Sequence, residues 1–206
     1  MKDKPILFST PMVKAILEGK KTQTRRILKL KKGDTVGKIY DDKETEYIIC
    51  DKDGDEVPME FVSPYGVAGD RLWVRETWGL TQGNGSPIDA WISYKAGGQN
   101  SELPIRDNGN LFDYPIKEGW RPSIFMPRWA SRITLEVTEV IVQRLQNITE
   151  EDAQAEGFTE QLESEGIYYK SARMGFYETW NKLNSKRGYS WDSNPFVWAI
   201  SFKVVK

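Results

Sequence analysis

Apolar residues recur with two different periods along this chain, and the longer period predicts helices. Four apolar residues repeat at helical spacing between Thr10-Pro11, a typical helix start, and Gly19, a typical helix end. A capping-box pattern begins at Thr149 and precedes Gly157, and a further helical pattern follows it. The apolar stripe of that last helix is predicted to consist of Met174, Tyr177, Trp180 and Leu183. The predicted helices cover residues 11–18, 149–156 and 171–183.

The shorter period, in which apolar and polar residues alternate, predicts β-strands. They are expected at residues 22–27, 47–50, 71–78, 90–94, 132–144 and 196–204. In the strand at 132–144 the alternation shifts near Thr138-Glu139, which predicts a β-bulge because one extra residue exchanges the two faces. In the strand at 22–27, Thr22, Thr24 and Arg26 share one face because strand side chains alternate.

The order of these elements indicates one α+β domain over residues 1–206, a mixed β-barrel flanked by short helices. Two segments depart from this pattern. Residues 38–64 are predicted to hold an acidic hairpin with a polar turn at 51–55. Residues 79–127 are predicted to form a loop-rich insertion, and loops of that length in a compact domain usually have a function.

Composition excludes several kinds of chemistry. The chain has 206 residues, no histidine and a single cysteine, Cys50. The Ser-His-Asp triad, the Cys-His pair and histidine-based metal sites are therefore excluded, and acid–base chemistry must use Lys, Glu, Asp, Tyr or water. The sequence has no membrane span and no signal peptide, so we expect a cytoplasmic protein with no membrane partner, cofactor or metal. A Mg²⁺ site built from carboxylates alone stays open.

A net charge of −1 hides a strongly basic segment directly after the first predicted helix. Seven lysines and arginines, and no acids, lie between Lys20 and Lys32. A local basic patch attracts phosphate even when the whole chain is nearly neutral, although a solvated basic turn has the same pattern. The run from Gly19 to Arg26 is therefore the candidate functional centre.

The sequence Gly19-Lys20-Lys21-Thr22-Gln23-Thr24-Arg25-Arg26, placed after a short helix, resembles the Gly-[Lys/Arg]-Lys-Thr-x-Thr-x-Arg signature of the ASCH family, in the PUA-like superfamily. The segment Gly69–Glu76, the helix at 149–156 and the final strand also resemble the layout of that family. The two insertions depart from the minimal domain, and longer versions of this kind resemble phage and prophage proteins. The resemblance implies a small β-barrel that binds RNA or a modified nucleobase in a cleft.

One branch of that family is an amidohydrolase that removes the acyl group from N4-acetylcytidine with a Lys, a Thr and a Glu. The resemblance places the first two at Lys21 and Thr24 by the motif, and the third at Glu156 by its place in the helix. A threonine hydroxyl needs a base, and a lysine serves only when its pKa falls towards neutrality. Burial and neighbouring arginines lower that pKa, whereas Glu156 raises it. Arg26, or the backbone amides at the Gly19 turn, are candidates for stabilising an oxyanion.

Further residues are expected to bind the ligand or a nucleic acid. They are Lys20, Thr22 and Arg26 of the motif, Arg75 and Glu76 of a predicted strand, and Arg128 and Trp129 before the long strand. Tryptophan and arginine together can stack bases and contact phosphates. The alternative is structural: the tryptophan fills the core, the arginines pair with acids, and Glu76 is a buried, paired carboxylate.

Four functions stay open at this stage. The first is binding of RNA or of a modified nucleobase, and the second is deacylation of an N4-acetylcytidine-type nucleoside. The third is metal-independent cleavage of RNA. The fourth is a phage protein-interaction factor, in which the acidic hairpin mimics a nucleic acid. The partner expected in the first reading is RNA or a modified nucleoside.

Overall fold

One mixed β-sheet, covered by helices, organises the computed structural model, which describes residues 3–40, 45–82, 90–100, 119–163 and 168–205. The strands are β1 (Asp3–Leu7), β2 (Gln23–Ile27), β3 (Thr35–Tyr40), β4 (Thr45–Cys50), β5 (Arg71–Arg75), β6 (Trp78–Gln82), β7 (Ala90–Tyr94), β8 (Gln99–Asn100), β9 (Thr134–Arg144), β10 (Gln161–Glu163), β11 (Tyr168–Lys170) and β12 (Phe196–Val204). The helices are α1 (Thr10–Leu17), α2 (Met59–Val62), α3 (Glu150–Ala155) and α4 (Ala172–Asn184). The predicted α+β class is confirmed.

The main sheet runs in the order β1-β5-β9-β12-β2. β1 and β5 are parallel, and the other neighbours in this order are antiparallel. The β3–β4 hairpin joins the sheet through the pair Tyr47 and Val142. Among the described strands this order is open, with β1 and β2 at its two ends, and it does not close into a barrel. The outer edge of β2 is therefore available to the residues that surround it.

Both faces of the sheet are buried near β12. On one face Trp198, Ile200 and Phe202 belong to the main core with α1. On the opposite face Val197 packs with Phe176 and other residues of the α3–α4 side. A strand covered on both faces is apolar at consecutive positions, which is why β12 is more uniformly hydrophobic than an alternating pattern requires.

Several predicted elements are confirmed. The predicted bulge in β9 is present, because Ser201 pairs with Glu139 while Phe202 pairs with Val137, which leaves Thr138 as the extra residue. Helix α1 ends before Gly19 as expected, but its N-cap is Ser9 rather than Thr10. The predicted strand at 90–94 is β7, and the capping box that starts α3 is formed.

The predicted apolar stripe of α4 is wrong in part. Met174 and Leu183 are 45% and 55% exposed. The helix instead packs through Phe176 and Trp180, four residues apart, against the sheet and α3. An α-helix has 3.6 residues per turn, so residues spaced by three rotate progressively around its axis, and the first and last residues of the predicted stripe lie off the buried face.

The predicted strand at 71–78 is two strands, β5 and β6, separated at residues 76–77. β6, β7 and β8 form a separate sheet, whose buried side chains include Trp78 and Ile92. The predicted insertions fall partly outside the described residues, namely at 41–44, 83–89 and 101–118. Within the described part of the chain, no helix has the length and apolar character that crossing a membrane requires.

Candidate functional site

The basic motif leaves α1 through a tight turn that uses its own backbone donors. Gly19 has φ +70°, a left-handed conformation that glycine adopts without strain. Its N–H donates to Ile16 O, and the N–H groups of Lys20 and Lys21 both donate to Ala15 O. Because all three amides are bonded to α1, the proposed oxyanion role for the amides of this turn is wrong.

Lys21 and Glu156 form a buried ion pair directly after that turn. Their backbones pair as an isolated antiparallel bridge, although they are far apart in sequence. Lys21 Nζ donates to Glu156 Oε2 at 2.5 Å and to the Glu156 carbonyl oxygen at 2.8 Å. The second carboxylate oxygen, Oε1, accepts the Arg25 backbone N–H at 2.5 Å. The residues are 1% and 5% exposed, so the pair is shielded from water.

Burial lowers the pKa of the Lys21 ammonium below its usual value, because the charged form loses hydration. Glu156 opposes this shift by charge and by its hydrogen bond, and Arg26 and Arg25 add smaller decreases. The two opposing effects expected from the sequence are therefore both present, and desolvation is the larger. Lys20 takes no part, since it is exposed and pairs with Glu18 at 2.7 Å.

A second ion pair ties the start of α3 to β2. The Arg25 guanidinium donates to Asp152 Oδ2 at 2.8 Å, and Gln23 Nε2 donates to Asp152 Oδ1 at 3.1 Å. Asp152 also accepts the Thr149 backbone N–H in the capping box of α3. Because Glu156 follows the last turn of the same helix, these contacts position its carboxylate against β2.

Arg26 lies on the opposite face of β2 from Arg25. It donates to Leu7 O at 2.6 Å, and its guanidinium lies 5.1 Å from the centre of the Phe8 ring. Its Nε is buried and has no hydrogen-bond partner in the described part of the chain. Burial lowers the pKa of Arg26 and raises the pKa of the neighbouring Tyr65 phenol.

A cavity of about 500 Å³ opens beside the outer edge of β2. Thr24 and Glu156 line it, whereas Lys21 lies behind Glu156 and does not. Thr24 is 2% exposed. The other lining residues are Met12, Arg25, Arg26, Ile27, Lys29, Pro64, Tyr65, Phe158, Phe176, Thr179, Trp180, Leu183, Asn184, Arg187 and Trp198.

The backbone of β2 also contributes polar groups to this cavity. Leu28 donates to Phe196 O and Thr22 O accepts from Phe202, so the even-numbered residues of this segment form the backbone hydrogen bonds to β12. In an antiparallel pair the alternate residues point their backbone groups away from the partner. Arg25 and Ile27 therefore direct their N–H and C=O groups towards the outer edge, where Glu156 accepts one of them.

Six of the seven residues expected to bind ligand lie outside this cavity. Glu76 is buried and accepts both hydrogen bonds of the Arg132 guanidinium, at 2.9 and 3.0 Å. Burial raises the pKa of Glu76, and Arg132 opposes that shift. Arg75 Nε donates to the carbonyl oxygen of Met126 at 3.1 Å. None of these residues lines the cavity beside β2.

Arg128 and Trp129 likewise do not line that cavity. Arg128 pairs with Asp3 on the surface at 3.3 Å, and Trp129 packs edge-to-face on Trp78 with ring centres 5.8 Å apart. Thr22 is exposed, and its backbone donates to Ala155 O at 2.8 Å. Of the predicted set, the structure therefore brings Lys21, Thr24, Arg26 and Glu156 to one place.

Sequence reasoning missed the far wall of the cavity. Tyr65 comes from the turn after α2, Asn184 from the end of α4 and Arg187 from the turn that follows it. No local pattern marks these residues, because they meet β2 only through the packing of α4 and the 63–66 turn. Lys29 belongs to the basic run, but only the structure selects it from the neighbouring lysines.

Among the described residues, Asp, Glu and Cys side chains form no group of three that could hold a metal ion. The polar groups of the cavity are instead a hydroxyl, a carboxylate, guanidinium groups and strand-edge amides. Comparison of the chain with protein-family models, with curated proteins and with solved structures gives no match.

Proposed function

We propose that this protein binds a nucleobase, from RNA or from a modified nucleoside, in the cavity beside β2. The observation that carries the proposal is the cavity itself, about 500 Å³ in volume, with the buried Lys21–Glu156 pair at its inner end. Small-molecule sites are typically about 300–1,000 Å³, with apolar walls and a few positioned polar groups.

The lining matches the chemistry of a base. Aromatic side chains such as Tyr65, Trp180 and Trp198 supply surfaces on which a planar ring can stack. The outer edge of β2 and the Thr24 hydroxyl supply donors and acceptors that can pair with the polar edge of the base. A nucleobase can stack on the aromatic side chains with its ring and form hydrogen bonds to the strand edge with its polar groups.

We further propose that the chain is a longer relative of the ASCH domains, with a PUA-like fold. Support comes from the motif resemblance and from the position of the motif, which enters the sheet directly after α1 and faces a cavity. The contact of the motif lysine with Glu156, which directly follows α3, also fits the resemblance.

Fluorescence titration tests the binding proposal, because Trp180 and Trp198 line the cavity. The probes are cytidine, N4-acetylcytidine and short single-stranded RNA. Tyr65→Ala should weaken binding by about 1–3 kcal/mol, the usual contribution of one stacked base. Tyr177→Ala is the matched control, since Tyr177 packs on Trp191 outside this cavity. Absence of binding to every probe, or equal losses in both variants, contradicts the proposal.

A second candidate function is hydrolysis of an N4-acyl cytidine, and the presence of Thr24 and Glu156 in the lining of one cavity favours it. In this proposal the Thr24 oxygen attacks the acyl carbonyl carbon, and its proton passes to Glu156. The bond from the acyl carbon to N4 breaks, and N4 takes that proton and leaves as the free amine. Water then hydrolyses the acyl-threonine, releasing the carboxylic acid and restoring the hydroxyl.

The surrounding cations have defined places in this proposed reaction. Lys21 holds Glu156 from the side opposite the cavity, so the carboxylate rather than the ammonium meets the ligand. Arg26 is the available group for the oxyanion, because the amides of the Gly19 turn are bonded to α1.

Two threonines of the same motif give a matched test of hydrolysis. Thr24→Ala should abolish release of cytidine from N4-acetylcytidine while binding is retained, and Thr24→Ser should retain turnover. Thr22→Ala is the control, because Thr22 is exposed and lies outside the cavity. If wild-type protein shows no turnover, or Thr24→Ala is as active as Thr22→Ala, the hydrolysis proposal fails and the binding proposal stands alone.

A further inference from the structure

Within the described residues, the positive charges around the cavity exceed the carboxylates paired with them. Lys21 is paired with Glu156 and Arg25 with Asp152, so each of these buried cations has its own carboxylate. Three other cations line the cavity: Arg26, Lys29 and Arg187. None of the three forms an ion pair with a carboxylate in the described part of the chain.

The three unbalanced cations differ in depth. Lys29, just beyond β2, and Arg187, in the turn after α4, are both exposed and both line the cavity. Arg187 also donates to the side chain of Asn184, itself a lining residue, at 3.4 Å. Arg26 lies deeper, and its buried Nε has no partner. A buried donor without a partner is unfavourable unless the ligand supplies an acceptor.

We infer that the cavity takes its base as part of a nucleotide, and that Lys29 and Arg187 bind the phosphate at the opening while Arg26 contacts the bound nucleotide more deeply. This rests on the proposed binding function and names its substrate class: a phosphate ester of a nucleoside rather than a free nucleoside. Guanidinium and ammonium groups are the usual protein partners of phosphate. The division between an aromatic interior and a cationic opening matches the division between base and phosphate.

The phosphate can come from two sources, a terminal monoester of a mononucleotide or a diester within an RNA strand. The monoester and the diester both carry negative charge next to the sugar, and Lys29 and Arg187 can bind either group. The source is distinguished by comparing 5′-monophosphates, 3′-monophosphates and a trinucleotide that contains only internal diesters.

The test measures dissociation constants for the four ribonucleosides and for their 5′-monophosphates, at low and at moderate salt. For a base that binds, the phosphate should tighten binding by tenfold or more in the wild-type protein. Arg187→Ala and Lys29→Ala should each remove most of that gain and leave the affinity for the nucleoside unchanged. Inorganic phosphate should compete with the monophosphate but not with the nucleoside.

Two nearby lysines provide matched controls. Lys186→Ala changes the residue next to Arg187, and Lys20→Ala changes an exposed lysine of the basic run, and neither residue lines the cavity. Both variants should retain the full phosphate gain. If the trinucleotide binds, each removed phosphate contact should also reduce the slope of log affinity against log salt by about 0.7.

The outcomes separate the two proposals. If nucleosides bind and the phosphate adds nothing, or if Lys186→Ala loses as much of the gain as Arg187→Ala, the phosphate inference is overturned and the binding proposal stands. If no nucleoside, nucleotide or trinucleotide binds, both are overturned.

Discussion

Replacing Glu156 with glutamine tests whether the candidate site depends on a buried charge pair. The two carboxylate oxygens of Glu156 have different partners, the Lys21 ammonium and the Arg25 backbone N–H. Glutamine keeps the shape but has one acceptor oxygen and one NH₂ group. One of the two donors must then face another donor, and the Lys21 charge loses its counter-ion.

The cost follows from the depth of the pair. The Lys21 and Glu156 side chains are 0% and 4% exposed, so solvent does not screen the change. Removing one partner of such a buried pair costs about 3–5 kcal/mol. For a domain of this length, that corresponds to a decrease in melting temperature of roughly 6–20 °C.

The free energy of unfolding is measured by urea titration, followed by the fluorescence of the eight tryptophans. Glu139→Gln is the control, because Glu139 is exposed on β9, and it should change stability by less than about 0.5 kcal/mol. The double variant Lys21→Met, Glu156→Gln should recover part of the loss, since the lone amide oxygen can then accept from Arg25. A double-mutant cycle gives the coupling between the two side chains.

The pH dependence has a defined sign. Burial holds the pKa of Lys21 below its ordinary value of 10.5, so between the folded pKa and 10.5 the unfolded chain binds more protons. The free energy of unfolding therefore rises with pH in that window. Glu156→Gln removes the group that raises the Lys21 pKa, so the rise should begin at lower pH. Its slope is at most about 1.4 kcal/mol per pH unit for one proton.

Two results would refute this reasoning. A loss below about 1 kcal/mol in Glu156→Gln means that water solvates the pair and that its buried geometry is wrong. The same pH profile in Glu156→Gln and in the double variant means that Lys21 does not titrate at lowered pKa.

Other predictions concern the backbone and a second buried acid. Gly157→Ala should lower the free energy of unfolding by more than about 2 kcal/mol, because the new Cβ would lie 3.2 Å from Ala15 Cβ in a backbone with φ +91°. Gly188→Ala also has a positive φ, but its Cβ would enter open space, so it should lower the free energy of unfolding by only about 1 kcal/mol. Thermal melting curves of the two variants make the comparison. Burial raises the pKa of Glu76, so between pH 4.5 and that raised pKa the folded chain binds more protons and the free energy of unfolding should fall as pH rises. In urea titrations at several pH values, Glu76→Gln should remove this decrease. Deleting Thr138 should remove the bulge while the other residues of β9 keep their partners on β12 and their faces, so unfolding followed by circular dichroism should stay cooperative; loss of the transition would contradict this.

The local pattern predicted the bulge in β9 and the faces of β2, because both depend on alternation within a few residues. It failed at both ends of the α4 stripe, because Met174 and Leu183 are exposed and Phe176 joins the predicted Trp180 on the buried face. It also joined β5 to β6, because alternation continues through Glu76 even though the chain changes sheets there.

The sequence alone determined which side chains follow the first helix and which kinds of chemistry are excluded. The absence of histidine and the order of Lys21, Thr24 and Arg26 after a short helix depend on composition and on neighbours along the chain. Only the tertiary structure decided which of them meet the cavity. Packing of α3 and α4 against β2 buries Lys21 behind Glu156, places Thr24 in the cavity wall and adds Arg187 from the far end of the chain. Burial and long-range contact set those roles, and neither is encoded in a local pattern.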